Sequence, residues 1–279
     1  MTTLVAWLGV DARGHSSVYL ASDSRISWAK QSVWDAGRKL YFSQGTPDIF
    51  GYCGTVLFPS QVLSQIGDLA SRGLLFRGSN TAQERHDSVA TAIQDAFTQY
   101  PTRQAEPFTI LHCTREGQLM ESRFSVAAIG WEPTMGWATK TYEMPQNSGV
   151  IAALGTGHRA VERWHAIWQR TSEKGTSRAV FSAFCDALHN GDDPNSGGAP
   201  QLAGLIRKGN GFQLGVVYRN ERYFVGLPLG RARNAGTVDW RNEVFERCDG
   251  VTGLVLGTAQ RHYRPKGLGV SGNASAKKR

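Results

Sequence analysis

The sequence predicts an α+β fold, because strand-like and helix-like segments come in blocks and do not alternate one by one. Three observations carry this: paired apolar runs joined by turn residues near the start, two helical stretches in succession, and further strands, two helices and strands after them, with no internal repeat. Leu4 to Val10 and Ser17 to Ser22 flank Asp11–His15, a polar, glycine-containing connector, and read as a hairpin. Lys39 to Phe42 and Asp48 to Cys53 flank Ser43–Pro47 in the same way. From Pro59 to Leu75, apolar residues at Val62, Leu63, Ile66, Leu69, Ala70 and Leu74 take helical spacing, with Pro59 suited to a first turn. Ala82 to Tyr100 is a second helix, closed by Pro101. Strands follow at Phe108–Cys113, Leu119–Ala128 and Gly149–Leu154, while Gly130 to Asn147 carries no assignable period. Helical spacing returns over His158–Gln169 and Ser177–His189, and strands over Phe212–Tyr218 and Arg222–Gly226. Beyond Arg231 the pattern weakens, and Gly267–Arg279 reads as a mobile basic tail. The expected organisation is one domain over residues 1–230 and a C-terminal extension over 231–279.

Composition narrows the function. With 41% hydrophobic and 19% charged residues over 279 positions, the chain is an ordinary globular protein with enough length for a real core. No apolar run reaches the roughly 20 residues that span a bilayer, and no secretory signal precedes the first strand, so no membrane partner and a cytoplasmic location are expected. Cys53, Cys113, Cys185 and Cys248 form no C-x-x-C pair, and the seven histidines show no H-E-x-x-H spacing; neither a metal nor a cofactor is expected. The net charge of +8 is dispersed apart from Lys277-Lys278-Arg279, with no aromatic and basic interleaving of the kind that reads nucleic acid.

The chemistry starts at Met1-Thr2-Thr3. Removal of Met1 would leave Thr2 with a nucleophilic hydroxyl and, on the same residue, an α-amine of pKa about 7.7–8.0 that serves as its base. Such a pair needs a neighbouring cation, which Lys39 can supply, and a buried ammonium needs a counter-ion, for which Asp23 at a strand end is placed. A tetrahedral oxyanion needs a fixed donor, which Gly54 N–H offers with no Cβ in the way. Thr156, Asp193 and Ser196 can orient the amine.

These residues sit in motifs. Thr2-Thr3 opens the first strand; Leu20-Ala21-Ser22-Asp23-Ser24-Arg25 ends the second; Gly37-Arg38-Lys39-Leu40-Tyr41 follows, with Lys39 sixteen positions after Asp23. Tyr52-Cys53-Gly54 precedes the first helix, Gly155-Thr156-Gly157 the third, and Asp193-Pro194-Asn195-Ser196-Gly197-Gly198 follows the fourth. In this order they resemble the proteasome β-subunit family of N-terminal-nucleophile (Ntn) hydrolases over roughly Thr2 to Gly226. The resemblance implies a four-layer αββα sandwich of two packed antiparallel sheets flanked by helices. It also implies a threonine-type peptidase acting through an acyl-enzyme ester, with peptide or protein substrates, a homo-oligomeric ring and an ATP-driven unfoldase. It carries catalytic roles onto Thr2, Asp23, Lys39, Gly54, Thr156, Asp193 and Ser196, and substrate contacts onto Ser27 and Tyr52, the latter lining the P1 pocket. Ser27 stands where the family commonly has threonine, and Thr156 where it has serine. Three other readings stay open: a non-catalytic scaffold on this fold, a small-molecule Ntn amidohydrolase, and an NAD-binding loop at Gly155-Thr156-Gly157-His158-Arg159-Ala160. The last requires a second parallel strand ending in an acid about 20 residues on.

Overall fold

The computed structural model describes residues 2–28, 32–76, 78, 81–101, 106–230, 235–262 and 264–265; Met1 and the Gly267–Arg279 tail lie outside them. The fold is α+β. Strands β1 (Thr3–Asp11), β2 (Gly14–Ser22), β3 (Ile26–Trp28), β4 (Ser32–Trp34), β5 (Leu40–Phe42) and β6 (Asp48–Gly54) lead into helices α1 (Leu57–Ser71) and α2 (Ala82–Phe97). Then come β7 (Phe108–Glu116), β8 (Arg123–Glu132), β9 (Gly136–Thr141), β10 (Gly149–Gly155), α3 (His158–Trp168) and α4 (Ser177–Asn190). The chain closes through β11 (Gln201–Ile206), β12 (Phe212–Tyr218), β13 (Glu221–Phe224), β14 (Leu227–Pro228), β15 (Trp240–Asn242) and β16 (Arg247–Cys248). Among the described residues no helix is long and apolar enough to cross a membrane.

One sheet has nine strands, running β10-β1-β2-β11-β12-β13-β14 with β15 attached at β12 and β16 at β15; a second has the order β5-β6-β7-β8-β9. Pairing is antiparallel apart from β12 with β15. Strand parity explains why β1 is apolar at almost every position. Leu4, Ala6 and Leu8 face Ile49, Leu111 and Val126 of the other sheet, while Val5 and Trp7 face Val161, Phe181 and Phe184 of α3 and α4. A third cluster joins Phe50 and Tyr52 of β6 to Leu63 and Ile66 of α1 and Val89 and Ile93 of α2.

The predicted elements recur in the predicted order, and the structure adds the short strands β3, β4 and β14, which the sequence does not predict. Leu119–Glu121 is a 3-10 turn with Leu119 at φ 52°, so the strand expected from Leu119 begins at Arg123. The unassigned Gly130–Asn147 stretch holds the end of β8 and the edge strand β9. Strand β11 lies between β2 and β12 and went unread, because residues buried on both faces show no alternation. The extension pairs through β15 and β16, and its Trp240 and Cys248 pack with Val217 and Phe224 of the body.

Candidate active site

The parity of β1 sets up the site. Thr2 shares the face of Leu4 and Ala6, toward the five-stranded sheet, whereas Thr3 points to the opposite face. Lys39, immediately before β5 of that sheet, meets Thr2 there: its Nζ donates to Thr2 Oγ1 at 3.0 Å and to Asp23 Oδ1 at 2.8 Å. The Lys39 and Asp23 side chains have 0% exposure, and Thr2 is equally buried. An ion pair this deep persists only if its remaining acceptors are used. They are: Asp23 Oδ1 also accepts from Thr3 N at 3.0 Å, and Oδ2 from Arg25 N at 3.1 Å and Gly197 N at 3.0 Å.

A second network meets the nitrogen of Thr2. Thr2 N donates to Thr156 Oγ1 at 3.4 Å, and the Thr156 hydroxyl donates to Asp193 Oδ2 at 2.6 Å. On the other face of β1, Thr3 Oγ1 donates to Ser196 Oγ at 2.7 Å, which donates to the same carboxylate oxygen at 2.7 Å. One acidic oxygen therefore fixes both hydroxyls, at the short lengths of charge-assisted bonds. Asn195 N closes the loop onto Asp193 Oδ1 at 3.1 Å.

Gly54 ends β6 at φ +101°, and a Cβ there would fall 2.3 Å from Pro107 O, so only glycine fits. With Ser27, Ile26, Trp28, Val56 and Leu57 it lines a cleft of about 400 Å³. Tyr52 is placed elsewhere than expected. Parity turns its ring toward α1 and α2, its hydroxyl donates to Arg38 O at 3.2 Å, and it has no exposed surface, so it does not line the open cleft. Cys53 takes the inter-sheet face instead, and burial pushes its thiol up to about 11, which makes it a packing group and not a rival nucleophile.

The structure brings together Thr2, Asp23 and Lys39 in one cluster, links Thr156, Asp193 and Ser196 in another, and puts Gly54 and Ser27 on one cleft. It also gives roles to motif residues for which the sequence indicates none. Arg25 binds Asp35 in a bidentate pair, which holds the Asp35 carboxyl below its usual range, and reaches Pro194 O at 3.1 Å, tying the Asp193 loop to β2. Gly155 and Gly157 have a use that the dinucleotide reading did not foresee. A Cβ on Gly155 would lie 1.9 Å from Thr2 O, and one on Gly157 1.8 Å from Thr3 Oγ1. Strand β10 is antiparallel to β1, and α3 is followed by α4, so the parallel strand that an NAD loop requires is not there among the described residues. Those described residues also hold no cluster of metal-ligating side chains.

No family model matches the sequence, and no curated protein matches it. Solved structures do. Anbu (ancestral beta-subunit) from Yersinia bercovieri superposes with a TM-score of 0.50 at 11% identity, covering 76% of this chain and 86% of that one. Eukaryotic HslV from Trypanosoma brucei gives a TM-score of 0.46 at 12% identity over 73% of this chain and 99% of its own. At such identities the likeness to the ancestral β-subunit is one of fold, and it agrees with the resemblance drawn from the motifs.

Proposed function

We propose that this chain, built on the proteasome β-subunit-like fold, is a threonine-type hydrolase of peptide or other amide bonds that works from Thr2 once the Met1–Thr2 bond has been cut. The observation that carries the reading is a fully buried Lys39 ammonium held 3.0 Å from Thr2 Oγ1 and 2.8 Å from Asp23. A buried ion pair is a weak way to gain stability, and one aimed at a hydroxyl is suited to hold negative charge on that oxygen.

In this mechanism the freed Thr2 amine takes the proton of its own hydroxyl, and Oγ1 attacks the substrate carbonyl. Thr156 and Asp193 orient the amine, and Lys39 stabilises the oxygen as it loses its proton. Gly54 N–H is the donor to the oxyanion, and losing such a donor costs on the order of 10²–10³ in rate. Collapse breaks the C–N bond, the amine leaves with the proton, and a Thr2 ester remains. Water then attacks the ester with the same amine as base, releasing the acid. While Met1 is attached, the nitrogen of residue 2 is an amide and cannot act as that base. Ser27, on the rim of the cleft, is the substrate contact; the burial of Tyr52 argues against any such role for it.

The wider proposal follows the fold. Residues 1–230 form a four-layer αββα sandwich, supported by the three apolar clusters, and residues 231–279 are an addition to it. A homo-oligomeric cytoplasmic ring would confine Thr2, with an ATP-driven unfoldase supplying protein substrates. Sedimentation tests the ring: a mass of only 30.5 kDa removes it. Kinetics test the chemistry. Thr2→Ala is expected to abolish hydrolysis of fluorogenic peptide amides, and Lys39→Ala to lower turnover by orders of magnitude with the fold intact. Full activity in Thr2→Ala would refute the nucleophile.

A further inference from the structure

Asp23 follows β2 of one sheet and Lys39 precedes β5 of the other, so their 2.8 Å contact requires the two sheets to be held in fixed relation at this point. Strand β5 is a poor anchor. It has three residues and lies at the edge of its sheet, leaving backbone groups on its outer side without a strand partner. A buried side chain supports the chain just ahead of it. Gln201, the first residue of β11 and 1% exposed, accepts from Lys39 N through Oε1 at 3.0 Å. Its Nε2 donates to Gly37 O at 2.8 Å and to Asp23 O at 3.2 Å. One carboxamide therefore ties together the backbones that carry the ammonium and its carboxylate. Gly226, at φ +87°, covers it closely enough that a Cβ there would lie 3.5 Å from Gln201 Nε2. Farther along the same edge, Gln213 Nε2 donates to Leu40 O at 3.1 Å, so the larger sheet supports β5 through side chains instead of a strand.

We infer that Gln201 is a positioning residue for the Thr2–Lys39–Asp23 centre, setting the reach of Lys39 to Thr2 Oγ1; its kinetic side rests on the hydrolase reading above. Only an amide offers two donors and an acceptor in this geometry. Methionine matches its length without those bonds, and a carboxylate keeps the acceptor but loses the donors. A shift of about 1 Å in a reacting group is enough for a loss on the order of 10²-fold.

The test uses the full chain, with Met1 removed, carrying Gln201→Met, Gln201→Glu or Gln201→Asn; the last keeps the amide one methylene short and guards against a failure to fold. Crystal structures read the geometry whatever the chemistry. Gln201→Met is expected to carry Lys39 Nζ beyond hydrogen-bond reach of Thr2 Oγ1, from 3.0 Å to more than about 3.5 Å. With a fluorogenic peptide amide, kcat is expected to fall about 10²-fold at unchanged KM, with partial recovery in Gln201→Asn. In Gln201→Glu the added negative charge moves the acidic limb of the pH profile, where the Thr2 amine must lose its proton, to higher pH, which loss of packing alone would not do. Unchanged distances overturn the inference, and so does a kcat within twofold of the parent at a centre that has moved. If the parent chain forms no Thr2 ester, the hydrolase reading falls and the crystallographic distances alone decide the role of Gln201.

Discussion

Replacing Asp23 by asparagine keeps the shape of the side chain and removes its charge. The two carboxylate oxygens accept four bonds, from Lys39 Nζ and Thr3 N on one and from Arg25 N and Gly197 N on the other. Every partner is a donor, so either orientation of the amide turns an NH₂ group against two donors. Meanwhile Lys39, with no exposed surface, loses its counter-charge. Breaking a buried pair from one side typically costs about 3–5 kcal/mol, a large share of the roughly 5–15 kcal/mol that holds a domain folded. Urea unfolding of the full chain at pH 7 reads the loss directly, compared with Asp35→Asn, which breaks a half-exposed pair with Arg25. That control is expected to cost about 0–1 kcal/mol. If Asp23→Asn also costs under about 1 kcal/mol, the pair does not have the buried, fully bonded character on which the site depends.

Three further outcomes follow from other parts of the fold. Gly155→Ala places a side chain at φ +82° and 1.9 Å from Thr2 O, so a loss of at least about 1–3 kcal/mol together with loss of Thr2 chemistry is expected; a variant of parental stability and rate would contradict that packing. Acid should weaken the body through the buried chain in which His86 Nδ1 meets His112 Nδ1 at 2.8 Å and His112 Nε2 donates to Asp48 at 2.9 Å. Burial holds His86 down at about 3, whereas an unfolded histidine titrates near 6.5, so its contribution is present above about pH 6.5 and is lost as pH falls toward 3. Burial alone would raise Asp48, but His112 and Arg85 bring it from 3.8 to about 2, so its share is present above about pH 3.8 and is lost as pH falls toward about 2. A urea midpoint that is flat from pH 7 to pH 4 would refute this. Trp240→Ala empties a buried site whose Nε1 donates to Ala235 O at 3.0 Å; a cost of about 3–5 kcal/mol and new protease cleavage within residues 235–262 are expected, and an unchanged digest would show that the extension does not depend on it.

The sequence made Thr2, Asp23 and Lys39 legible for a local reason. Their roles are carried by side-chain types at strand ends, and the sixteen-residue spacing of the pair survives in the linear chain. The glycines of the Gly155–Gly157 loop are visible too, but the Thr2 carbonyl and Thr3 hydroxyl that require them lie more than 150 positions away. Tyr52 lies away from the cleft that the motif implies because a motif match does not settle which face a strand residue takes. Cys53 has the inter-sheet face, and Tyr52 must therefore face α1 and α2. Gln201 was invisible for a related reason. Its three partners are backbone groups 162 to 178 positions earlier, and a backbone acceptor leaves no mark in composition or period. Strands of two or three residues, such as β15 and β16, are too short to show alternation at all.

In the proposed mechanism Thr2 becomes the N-terminus and then carries the acyl group. Intact-mass spectrometry before and after incubation with a small amide-mimicking acylating electrophile, followed by peptide mapping, tests both halves at once. The expected result is a chain lacking Met1 that gains a single adduct located on Thr2, and no adduct in Thr2→Ala. A chain that keeps Met1 and still gains the adduct, or a Met1-free chain that gains none at Thr2, would contradict it.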